Sequence, residues 1–176
     1  MMRKILFFFA VPLFLYSCKP AKQEQGHNLN YFDLKGYFEK EALRLKTNNP
    51  IITKTVMVNG NSETRQMRLD DWTKEFAVFT DVDINRSAWA GLFSIQKNNE
   101  RELYASAEEK VPVKEVLILK KDNKPYGIQI LVKNTNMLYS SSDTLSYYPD
   151  SLYRIKKKQH IKLLSEKNYS ITGKFN

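Results

Sequence analysis

Cysteine is nearly missing from this chain: of 176 residues, Cys18 is the single one. A disulfide framework is therefore excluded, and any fold must be held by its core. Histidine is almost as scarce. His27 and His160 stand in unrelated surroundings, so no pair has metal-ligand spacing. Glycine is thin and scattered, with Gly60, Gly91, Gly127 and Gly173 each isolated. That leaves no phosphate-cradling loop, and no glycine-flanked nucleophile elbow around Ser140 to Ser142. Carboxylates do pair, at Asp70-Asp71, Asp81/Asp83 and Glu108-Glu109. Adjacent residues on a helix or strand point in different directions and make a poor acid and base, and Asp70-Asp71 is better explained as a helix cap. A long apolar run is lacking too. Ile5 to Tyr16 falls short of the roughly 20 residues a membrane-spanning helix needs, and Pro12 interrupts it. Together these absences remove the usual signatures of catalysis. The chain reads as non-enzymatic, and no cofactor or metal is expected.

What is there begins at the first residue. Met1 to Cys18 runs MMRKILFFFAVPLFLYSC, with Arg3 and Lys4 before the apolar stretch and the small Ser17 before the cysteine. That is the layout of a secretory signal. Its ending, Leu15-Tyr16-Ser17-Cys18, resembles the lipobox of bacterial lipoproteins. The resemblance implies that residues 1–17 are removed and that Cys18 is lipidated as the first residue of the mature chain. It further implies anchorage in a bacterial outer membrane. Some lipoproteins of Bacteroidetes-type bacteria reach the cell surface through acidic residues just after that cysteine. Here Lys19-Pro20-Ala21-Lys22-Gln23-Glu24-Gln25 lacks the acidic pair, which points to the periplasmic side. The rival readings are an ordinary secretory signal with an incidental cysteine, or a free thiol in an oxidising compartment. Residues 18–29 are polar, contain a proline and a glycine, and read as a flexible tether carrying a solvated His27.

Residues 30–176 then form a single domain, large enough for one core. The whole chain carries a net charge of +9; without Arg3 and Lys4, 26 cations face 19 anions. A basic surface favours anionic partners. For an exported, tethered protein these are envelope lipids, lipopolysaccharide phosphates or acidic proteins rather than nucleic acid.

Asn30 to Lys46 is expected to be a helix, capped by Asn30, with Leu34, Phe38, Ala42 and Leu45 on one stripe and Asn48-Asn49-Pro50 ending it. Ile51 to Leu69 reads as a hairpin about Asn59-Gly60, near a sheet edge. Asp70 caps a second short helix whose Trp72, Phe76 and Phe79 share a face. Asp81 to Ser94 is an irregular connection or a short strand, its Trp89 and Phe93 either closing the core or rimming a pocket. An antiparallel meander follows. Its strands are read at Glu102 to Ala107, Val113 to Lys121, and Tyr126 to Val132 with clean alternation. Pieces at Met137 to Tyr139 and Thr144 to Tyr148 flank a turn at Ser140 to Asp143. Leu152 to Leu164 comes next, with a basic helix as the alternative, and Asn168 to Phe175 closes the meander.

The remaining constellation lies in that penultimate strand. Arg154, Lys156, Lys158, His160 and Lys162 alternate onto one face and form an anion-attracting strip. The plainer reading is a solvated face that discourages edge pairing. The fold class is α+β: a curved antiparallel meander, half-barrel-like, covered on one face by one or two helices. Its element order resembles the half-barrel of the periplasmic lipoprotein-carrier family. In its signal segment and its lysine-, asparagine- and tyrosine-rich body, the chain resembles small uncharacterised lipoproteins of Bacteroidetes-type bacteria. The first resemblance implies a carrier of lipid or another apolar ligand. The second implies a membrane-anchored envelope protein that binds a protein partner or an anionic component.

Overall fold

The computed structural model describes residues 29–176. The expected signal segment, the expected lipidation site Cys18 and the expected tether up to residue 28 lie outside the described residues. Helix α1 spans Leu34–Asn48, followed by β1 (Ile52–Val58), β2 (Asn61–Met67), α2 (Trp72–Glu75) and α3 (Ala77–Thr80). A 3-10 turn at Ser87–Trp89 precedes β3 (Ser94–Lys97), β4 (Arg101–Ala105), β5 (Val113–Lys121) and β6 (Lys124–Thr135). Then come β7 (Tyr139–Tyr148), β8 (Leu152–Ile161) and β9 (Lys167–Phe175). The strands pair antiparallel in one nine-stranded open sheet, ordered β2-β1-β9-β8-β7-β6-β5-β4-β3. The α+β class and the antiparallel meander stand as expected.

The ends of α1 differ from the sequence reading for a packing reason. Tyr31 is buried, and the Asn85 side chain accepts from its N–H at 3.0 Å while donating to the carbonyl of Phe32 at 3.1 Å. The chain is thus held out of the helix there, and Asp33 rather than Asn30 takes the cap, accepting from the N–H of Gly36 at 2.8 Å. A Cβ on Gly36 would sit 2.1 Å from that carboxylate, which is why the first turn carries glycine. The expected stripe Leu34, Phe38, Ala42 and Leu45 is buried in full.

Asn59 and Gly60 both adopt positive φ (50° and 90°), the requirement of a type I′ hairpin turn. β2 is exposed along its length and forms one edge of the sheet, as its charge implied. In the next segment Asp71, not Asp70, is the cap, accepting from the N–H groups of Thr73 and Lys74. Phe76, with φ −92° and ψ 4°, leaves the helical region and divides one expected helix into α2 and α3. Trp72, Phe76 and Phe79 are nonetheless all buried.

Alternation puts Tyr104, Val116, Ile130 and Leu145 opposite one another in a single row across β4–β7, continued by Ile155 and Ile171. Aromatic rings from helices and sheet join this core. Phe38 stacks on Phe79 at 4.6 Å between centroids and meets Tyr147 edge-on at 5.3 Å, while Trp72 stacks on Phe175 at 5.7 Å. Such pairs add roughly 0.5–1.5 kcal/mol each beyond the area they bury.

Buried tyrosine hydroxyls need partners: that of Tyr31 accepts from the N–H of Gly91 at 2.8 Å, and three others each find a carboxylate held by a cation. Tyr147 donates to Glu41, which pairs with Arg44 at 2.9 Å. Tyr153 donates to Glu75 at 2.6 Å, which pairs with Lys54 at 2.7 Å. Tyr104 donates to Glu102, which pairs with Lys120 at 2.9 Å. Burial first, then these carboxylates, push all three phenols above their ordinary ionisation range.

Ser140 to Asp143 is not a turn. Those residues lie within the continuous strand β7, because each pairs with β6 on one side and β8 on the other. The turn falls at Asn136 to Leu138 instead. β3, a short outer strand exposed throughout, had no counterpart in the sequence reading.

Candidate anion-binding face

Strand alternation decides which residues of β8 meet solvent. Tyr153 is buried, and Ile155, Lys157 and Gln159 share its face. Lys157 reaches Asp143 of β7 at 3.3 Å, and Gln159 donates to the Tyr139 hydroxyl at 3.0 Å. Arg154, Lys156, Lys158 and His160 fall on the opposite face, and the last three are exposed. Lys162, the fifth residue of the expected strip, stands one position beyond the strand and is also exposed. Arg154, Lys156, Lys158 and His160 therefore stand in one row, about 7 Å apart along the strand.

Register adds partners that composition alone did not reveal. Lys133 of β6 lies opposite Ser142, which lies opposite Lys158, which lies opposite Asn168 of β9. In the next row Thr144 faces Lys156, which faces Ser170. Beside the cations on this face run the hydroxyls of Ser140, Ser142, Thr144 and Ser146, all from β7. The signal for them was alternation through Ser140 to Ser146, hidden because a serine run reads as a turn.

The face is shallowly dished. One hollow of about 450 Å³ is lined by Ser142, Thr144, Lys156, Lys158 and Ser170 among others. A second, of about 200 Å³, lies toward the strand end between Lys133, Ser140, Lys158, His160 and Glu166. Glu166 is the acidic group at this spot. Its carboxyl is held below the usual range chiefly by a hydrogen bond from Lys158, 3.1 Å away. Arg154 donates to the Thr172 hydroxyl at 3.2 Å, which orients its guanidinium along the face.

Chemically, ammonium groups interleaved with hydroxyls can hold an anion that also accepts neutral hydrogen bonds, such as a phosphate ester. Among the described residues, no group of three or more His, Cys, Asp or Glu is placed to hold a metal ion. Comparison with protein-family models, with curated proteins and with solved structures finds no match to this chain.

Proposed function

We propose that the chain is a non-enzymatic lipoprotein of a bacterial envelope, lipidated at Cys18, facing the periplasm from the outer membrane, whose basic face holds an anionic envelope component. The observation that carries this reading is the continuity of Lys133, Lys156, Lys158, His160 and Lys162 over a bed of hydroxyls, with Glu166 and, next to Lys133, Glu109 as the acidic groups beside them. An acidic protein partner would use the same charges. The sheet is taken to curve with α1 and α2–α3 against one face, in the manner of a half-barrel.

The carrier reading requires an enclosed apolar cavity of roughly 300 Å³ or more. Between α1 and the sheet the room is occupied by Phe38, Phe76, Phe79 and Tyr147, with neighbouring ring centroids 4.6–6.5 Å apart. That filling favours the anion-binding reading over the carrier.

Two measurements test the proposal. Dihexanoyl phosphatidylglycerol, titrated into the full chain in neutral detergent, is expected to bind weakly and to be released by salt. The variant combining Lys156→Gln, Lys158→Gln and Lys162→Gln is expected to lose about 100-fold in affinity, at roughly 1 kcal/mol per cation. Binding that ignores both salt and the substitutions would refute the basic face. For the anchor, intact-mass analysis of chain extracted from membranes should show acyl chains on Cys18 and none after Cys18→Ser. A variant still acylated would sink the lipoprotein reading.

A further inference from the structure

Four large apolar side chains stand almost free of the fold: Met137 (91% exposed), Leu138 (64%), Leu163 (97%) and Leu164 (58%). They occupy two hairpin ends, the β6–β7 turn and the β8–β9 turn. These ends are neighbours, since Tyr139 pairs with Ile161 and the N–H of Lys162 donates to the carbonyl of Leu138 at 2.9 Å. The Asn136 side chain accepts from the N–H groups of both Leu138 and Tyr139 at 2.9 Å, which fixes the first turn. In the second turn Leu163 has φ +70°, the left-handed region that disfavours a branched side chain and suits glycine or asparagine. A leucine there is costly to the backbone, and it packs on nothing within the fold.

The cations of the basic face begin just behind these tips. Lys162 is in the turn itself, His160 and Thr135 lie in the first outward-facing row, and Lys158 and Lys133 come next, roughly 13–16 Å back at 3.3 Å per residue. At the same end Glu166 is engaged by Lys158, and Glu108 and Glu109 belong to the loop before β5. We infer that this end of the sheet docks on an anionic lipid bilayer: Met137, Leu138, Leu163 and Leu164 enter the boundary between headgroups and acyl chains while Lys133, Lys158, His160 and Lys162 meet the phosphates. Interfacial segments bury their apolar side by about 5–10 Å, which brings Lys162 and the His160 row level with the headgroups and leaves Lys158 and Lys133 just above, within reach of the phosphates by their long side chains. Aliphatic tips backed by a collar of lysines fit a surface that is apolar beneath and negative above. The inference rests on the anion-binding reading and names the surface that the strip meets.

The test uses the full chain carrying Cys18→Ser, with a single new cysteine bearing an environment-sensitive NBD probe at Met137, at Leu163, or at Ser151 in the turn at the opposite end of the sheet. On vesicles of phosphatidylethanolamine and phosphatidylglycerol, the probes at 137 and 163 should shift to the blue. Their quenching by aqueous iodide should fall several-fold, while the probe at 151 stays unchanged. On phosphatidylcholine vesicles the effect should disappear. Leu163→Gly relieves the backbone, so its melting temperature should hold or rise while the probe at 137 loses most of its shielding. A drop in insertion is then no sign of misfolding. Probes that stay open to iodide on anionic vesicles overturn the inference, and salt-sensitive binding of dihexanoyl phosphatidylglycerol would still leave the anionic reading intact. A blue shift that grows with protein concentration in the absence of vesicles, or a Leu163→Gly variant that remains shielded, overturns it as well.

Discussion

An alanine at position 173 would place its Cβ 2.1 Å from Cε1 of Tyr153 and 2.5 Å from the phenol oxygen, so the ring must leave. Tyr153 faces Gly173 across the β8–β9 pair and lies over the space that the missing side chain leaves. It cannot move freely, because Trp72, Phe76 and Phe175 surround it at centroid distances of 6.3, 5.9 and 6.4 Å. Overpacking such a core costs about 1–3 kcal/mol. Displacing the ring also breaks the hydrogen bond to the charged Glu75, worth about 1.5–3 kcal/mol. The stiffer unfolded chain returns about 0.4–1 kcal/mol. The net loss for Gly173→Ala is roughly 2–5 kcal/mol, or a melting temperature lower by roughly 5–20 °C. Urea unfolding of the full chain, with and without Tyr153→Leu, is the assay. Once the aromatic ring is gone, the same alanine should cost almost nothing, since the two changes touch one contact. Equal cost in both backgrounds, or a loss under about 0.5 kcal/mol in the native one, would refute the steric account.

Other consequences are open to measurement. Burial opposes the charge of Glu102, but the Tyr104 hydroxyl, Lys120 and Lys97 outweigh it and hold the carboxyl below its ordinary range. Its contribution is therefore present at neutral pH and lost on acidification, so the stability gap between native chain and Glu102→Gln should be widest near pH 7 and narrow steadily as the pH falls below the ordinary carboxylate range. Tyr37, Tyr104, Tyr147 and Tyr153 have raised phenol ionisations, mainly through burial. Stability should hold below about pH 10 and fall above it, and absorbance at alkaline pH should show these phenols ionising late, together with unfolding. The buried Ser141 hydroxyl oxygen has no hydrogen-bond partner. Ser141→Ala should leave stability unchanged or raise it by up to about 1 kcal/mol in thermal melts, and a clear loss would show that the oxygen is satisfied.

Periodicity was legible wherever one face is buried and the other wet. Val113 to Lys121 and the alternation from Tyr169 to Phe175 needed no tertiary information, and neither did the stripe on α1. Boundaries failed where a distant side chain decides them. Asn30 is a plausible cap until Asn85 is known to hold Tyr31 and Phe32 out of the helix. β7 was misread because Ser140, Ser142 and Thr144 carry turn propensity, and only pairing on both sides turns them into strand. β3 was missed because four exposed residues at an edge leave no apolar pattern. In the candidate site, the row on β8 follows from counting by twos. Lys133 and the hydroxyl bed follow from register, which a single strand does not specify. Met137 and Leu163 read as strand in the sequence, whereas β7 starts at Tyr139 and β8 ends at Ile161, because a hydrophobic residue in a turn looks like the fraying end of a strand.

The strand order has a consequence for the timing of folding. β1 finds no long-term neighbour in its own half of the chain except β2, and a lone two-stranded hairpin is marginal in water. Its other partner is β9, with Ile52 opposite Phe175, so one end of the chain waits for the other. During synthesis the hairpin must remain unsettled until β9 arrives. Such distant pairings fold slowly. The carboxyl-terminal strand is thus the keystone, and a chain shortened by that one element would forfeit the docking of its first hairpin as well as its last strand.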